Sequence, residues 1–90
     1  MNKTVVTVVG KDRVGIIAKI CTYMAENQIN ILDISQTIVS GYFNMMMITE
    51  SDYTVKDVST MAQELEKIGN EIGVRVNIQN AEIFEKMHRI

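Results

Sequence analysis

The sequence predicts an α+β fold of order strand, helix, strand, strand, helix, strand. This is the ferredoxin-like βαββαβ plan, a four-stranded antiparallel sheet with two helices on one face, here with a short C-terminal helix added. Two stretches repeat their apolar residues at three and four positions, and four shorter β-branched or alternating runs surround them. A Ser40-Gly41 turn joins the second and third runs, which suits an antiparallel hairpin and not a parallel crossover. Ninety residues, 47% of them apolar, allow one compact core, so residues 1–90 read as a single domain with no linker or repeat.

Thr4 to Val9 reads as the first strand, apolar on both faces because Val6 and Val8 point opposite to Val5 and Val9. From Val14 the period changes, and Ile17, Cys21 and Met24, with Ile20 beside them, mark a helix ending near Asn27. Asn30 to Val39 is the second strand, with Leu32, Ile34 and Ile38 on one face and Asp33, Ser35 and Thr37 on the other. Tyr42 to Glu50 follows the turn, and its Met45-Met46-Met47-Ile48 centre is again apolar on both faces. Thr54 and Asp57 have the spacing of a capping box before the stripe Val58, Met61, Leu65, Ile68 and Ile72, which Gly73 stops. Val74, Val76 and Ile78 alternate with Arg75, Asn77 and Gln79 as a half-exposed fourth strand, and Ile83, Phe84, Met87 and Ile90 suggest a terminal helix. Two helices cover one sheet face only. The second apolar face on strands one and three must meet the C-terminal helix, another copy of the chain, or both, and a homodimer is expected.

Composition narrows the function. A formal charge of −2 lacks the basic excess of a nucleic-acid binder, and the first strand has no aromatic residue on which bases could stack. No apolar stretch has the length of a signal peptide core or a membrane span, so a cytoplasmic protein with no membrane partner is expected. Cys21 is the only cysteine and reads as a small buried apolar residue. His88 is the only histidine, near the C-terminus, with no orienting partner for catalysis. No catalytic residues, metal ligands or cofactor are therefore expected, and the methionines read as core.

One segment has ligand-binding character. Gly10-Lys11-Asp12-Arg13-Val14-Gly15 turns from a strand into a helix, and such a helix start offers unpaired N–H groups and a partial positive charge. It is not a dinucleotide fingerprint, because Asp12 stands where the backbone must approach a pyrophosphate, nor a P-loop, because no Gly-Lys-Ser or Gly-Lys-Thr occurs. A zwitterion suits it better than a phosphate. N–H groups around Val14 and Gly15 would take a carboxylate, and Asp12, or the Asn30 side-chain oxygen supplied across a dimer, would take an ammonium. Gly15 would let the ligand approach, and Arg13 would add a carboxylate contact or an intersubunit salt bridge. Each residue also has a plainer reading: Asp12 as a helix cap, Gly10, Gly15 and Asn30 as turn residues, Arg13 as a surface charge, Asp33 as an edge-strand guard.

Gly10 to Ala18, followed after a helix by Asn30-Ile31-Leu32-Asp33, resembles the signature of the ACT domain, a ferredoxin-like module that commonly binds amino acids. In this stretch the chain is most similar to the ACT domains of formyltetrahydrofolate deformylase and the glycine cleavage repressor, and to short free-standing ACT proteins. Val14 stands where many relatives carry proline, which leaves the turn one more N–H. The resemblance implies an amino acid held between the β1–α1 loop and the neighbouring subunit, with Gly10, Lys11, Asp12, Arg13, Val14, Gly15, Asn30 and Ile31 as the ligand-binding set. The expected function is a non-catalytic regulatory module, with a regulated protein as a further partner. The alternative is a structural or protein-interaction dimer that binds no small molecule.

Overall fold

The computed structural model describes residues 1–11 and 14–81. Its elements are β1 (Asn2–Lys11), α1 (Ile16–Glu26), β2 (Asn30–Val39), β3 (Tyr42–Ser51), α2 (Val58–Ile72) and β4 (Val74–Asn80), in the βαββαβ order the sequence predicts. The strands form one sheet in the order β2-β3-β1-β4, and every neighbouring pair is antiparallel. The terminal helix expected over 83–90, and His88 with it, lies outside the described residues.

Alternation decides which side chains meet the helices. Val6 and Val8 of β1 stand opposite Met47 and Met45 of β3 and Ile78 and Val76 of β4, so these residues share one face. That face packs against Ile16, Ile20, Tyr23 and Met24 of α1 and Met61 and Leu65 of α2 to form the core. On the other face Val5 is buried, Ile48 half-buried, and Val9 and Met46 exposed among Thr7 and Asn44. The apolar second face is therefore real but interrupted by polar side chains.

Three local expectations need correction. The buried stripe of α1 runs through Ile16, Ile20, Tyr23 and Met24, whereas Ile17 is 38% exposed and Cys21 half-buried. The tyrosine draws the stripe round by about one position, because its ring packs into the core while its hydroxyl reaches Glu64 at 2.7 Å. In β2 the register shifts between Ile31 and Asp33, which makes Leu32 an extra residue with no partner of its own. Ile31 thereby joins Ile34, Gln36 and Ile38 on the helix side, and simple alternation through Leu32 fails. Finally, α2 is capped by Asp57 and not by Thr54. The Asp57 carboxylate accepts from the Thr60 N–H at 2.8 Å, while Thr54 donates to Asp52 in the preceding turn.

The loop before α2 is tied down by charge. The Lys56 ammonium donates to Glu64 Oε1 at 2.6 Å and to the side-chain oxygen of Asn27, and lies 5.7 Å from the centre of the Tyr23 ring. Hydrogen bonds from Lys56 and Tyr23 hold the Glu64 carboxyl below its ordinary range, and burial pushes the Tyr23 hydroxyl up. Hydrogen bonds from Thr60 and Thr54 likewise lower Asp57 and Asp52.

A carboxyl lowered on folding stabilises the fold above its unfolded pKa, and that stability drains as the pH falls through the folded value. Midpoint temperature should thus hold steady down to about pH 5 and then decline through the carboxylate range, about pH 4 and below. Asp57→Asn, which keeps a capping oxygen but cannot titrate there, should flatten part of the acid limb in a pH series of thermal melts.

Candidate functional site

The β1–α1 turn gains its geometry from two glycines with different duties. Gly10 is the close-approach residue: a Cβ there would stand 2.8 Å from Val74 Cγ1 and 3.0 Å from Val74 Cα, so only glycine lets β4 lie alongside. Gly15 is the conformational one. It caps α1 with φ 93° in the left-handed region, and a Cβ there would meet none of the described residues within 4 Å, so they leave the space above the helix start open. Its carbonyl accepts the first helical bond, from the Lys19 N–H at 2.9 Å, and an α-helix start leaves its first N–H groups without partners inside the helix.

Beside this turn lies a groove of about 400 Å³, walled by Ile17 and Ala18 of α1 and by Gln36 and Ile38 of β2, with Phe43 of β3 at its base. Apolar walls with a few polar groups are the usual makeup of a small-molecule site. A wider cleft of about 560 Å³ runs along the other sheet edge, between α2 and β4, but Glu66, Asn70, Arg75 and Asn77 give it a polar, surface-like lining. Among the described residues no group of three or more His, Cys, Asp and Glu side chains is placed to hold a metal, and no helix is long and apolar enough to cross a membrane.

The sequence-predicted site residues divide into three groups. Gly10, Lys11, Val14 and Gly15 come together at the turn, with Lys11 ending β1 opposite Tyr42 and Val14 fully exposed. Asp12 and Arg13 lie outside the described residues. Asn30 and Ile31 open β2 opposite Glu50 and Thr49, and Glu50 in turn faces Lys3, at the far end of the sheet from Gly10. Along β1 that separation is about 23 Å at the usual rise per residue, so one chain does not bring Asn30 to its own turn. What sequence reading missed was the groove. Ile17 looked like core, and only the register, which sets Ile38 against Phe43 and Phe43 against Gly10, shows that β2 ends beside the helix start.

The ACT-domain family profile matches residues 2–79. This chain belongs to the ACT-domain family. ACT domains are regulatory modules that often bind amino acids. The chain is 57% identical to a UPF0237 protein of Bifidobacterium longum over 90 residues, covering 100% of both. Among solved structures, an ACT domain protein from Streptococcus pneumoniae is 44% identical with a TM-score of 0.84, covering 93% of this chain and 94% of that one. A formyltetrahydrofolate deformylase from Pseudomonas syringae shares the fold at a TM-score of 0.81 and 24% identity, where the match covers 89% of this chain but only 28% of the enzyme. The ACT module thus stands here at nearly the full length of its relatives, whereas in the deformylase it matches a minor part of a longer chain.

Proposed function

We propose that this ACT domain is a non-catalytic regulatory module that binds an amino acid at the β1–α1 turn of a homodimer. The observation that carries this reading is the open, glycine-capped start of α1 beside an apolar groove. A carboxylate set on the first N–H groups gains up to about 1 kcal/mol from the helix start. The ammonium is assigned to Asp12 from its place in the sequence, and to Asn30 of a second copy.

Edge strand β2 explains how the second copy contributes. It is ten residues long, contains no proline or lysine, and leaves Ile34 and Ile38 43% and 59% exposed. The bulge at Leu32 and the Asp33 carboxylate blunt only its first half, and from Ile34 to Val39 the edge is uncharged and open to pairing. Antiparallel pairing of two β2 strands sets the Asn30 end of one against the Val39 end of the other, and Val39 pairs with Tyr42, which pairs with Lys11. The residue that lies far from the turn within one chain is thereby carried to the turn of its partner.

The test is a thermal-shift series of the purified protein against single amino acids. A ligand at about 100 times its dissociation constant adds about 2.7 kcal/mol, or about 10–20 °C for a domain of this size. Gly15→Ala meets no steric obstacle but strains the left-handed backbone by about 1–2 kcal/mol, and it should fold yet lose most of the shift. A flat response to every amino acid, with the dimer intact by light scattering, would instead support a protein-interaction module with no small ligand.

A further inference from the structure

We propose that the α1–β2 groove receives the ligand's side chain, and that this selects amino acids with aliphatic or thioether side chains of about leucine size. The inference rests on the reading of the β1–α1 turn as the site for the amino acid's charged groups. The groove begins at that turn, since Gly15 and Ile16 contribute to it, so a ligand anchored on the helix start has its side chain at the groove mouth. Among the described residues none of the lining side chains is charged, so these walls offer an acidic or basic side chain no partner for its charge. Ile17 and Ile38 present 38% and 59% of their surface, and these are the surfaces an aliphatic side chain would cover. Gln36 is the exception that sets a limit. It stands on the helix side of β2 between Ile34 and Ile38, opposite Met45, where alternation would otherwise place an apolar residue. Its amide at the groove wall both donates and accepts, and it disfavours side chains that carry apolar surface past it.

Burying one methylene is worth about a fourfold gain in affinity, so leucine should bind on the order of 10- to 100-fold more tightly than alanine. Isothermal titration of the wild-type protein with glycine, alanine, valine, leucine, methionine, aspartate and lysine tests this directly. The expected order is leucine and methionine first, valine next, alanine and glycine weak, and the charged pair undetectable. Ala18→Phe adds a ring on the exposed surface of α1 and fills the groove; it should weaken leucine by about tenfold or more and leave glycine within about twofold. Glycine binding as tightly as leucine, or leucine unaffected by Ala18→Phe, would overturn the groove assignment while the turn remained a ligand site. Binding of no amino acid at all would remove both readings. The wild-type series alone decides the matter if the variant does not fold.

Discussion

Replacing Gly69 by alanine should destabilise this domain, although the same change in an open helix interior adds about 1 kcal/mol of stability. Gly69 is buried in the last turn of α2, where a Cβ would stand 2.7 Å from the Val74 carbonyl oxygen and 3.1 Å from Val76 Cγ2. The first of these atoms is backbone in a paired strand, so it cannot rotate away. Either α2 lifts off β4 or the pairing of Val74 with Gly10 yields, and both loosen Leu65 and Met61 from the core. Overpacking of this kind costs about 1–3 kcal/mol, which lowers the midpoint temperature by about 4–8 °C per kcal/mol in a domain of this length. Thermal melts decide it by sign alone. A rise in midpoint would mean that α2 does not lie against β4 as closely as described.

Ile38→Lys should leave the monomer folded and separate the dimer. Ile38 is 59% exposed in the single chain, so lysine there costs the fold little. In a dimer joined along β2 a lysine enters the interface from each copy, set against the apolar Ile31 end of the other strand, and covering an unpartnered charge there costs several kcal/mol. Each 1.4 kcal/mol is tenfold, so a weakening of dimerisation by about a hundredfold or more is expected in sedimentation at micromolar concentration. Ligand response should fall with it, both because Asn30 then reaches no second turn and because Ile38 is itself a wall of the groove. The same dimer mass before and after the change would place the interface elsewhere.

Most of the fold was legible because its signals are local. The two-residue turn at Ser40-Gly41 fixed the hairpin, and Gly73, at φ 77°, stopped α2 as its position predicts. The stripe Met61, Leu65 and Ile68 lies where its spacing puts it. The errors came from long-range influences. Tyr23 sits in the core with its hydroxyl donated to Glu64, 41 positions later, a contact that no local spacing announces. The bulge at Leu32 answers to β3 and to nothing within β2. Gly69 carries no local signal of its role, which only β4 beneath α2 reveals, and the groove needed the pairing of three strands. Of the candidate site, Gly10 and Gly15 could be read as special, but not that the first serves the sheet and the second the helix start.

The strand order has a consequence for how the chain folds. β1 is the first strand made, yet it lies in the interior of the sheet, paired with β3 on one side and with β4 on the other, where Thr4 stands against Asn80. During synthesis Val6 and Val8 acquire a neighbour on one side when the hairpin emerges, but the other edge stays open until β4 leaves the ribosome. Such distant pairings place folding among the slower mixed α/β domains and make it a late, nearly all-or-none event. A chain cut short at Gly73 would present an unfinished edge, rich in valine and nearly free of charge, to whatever lay nearby.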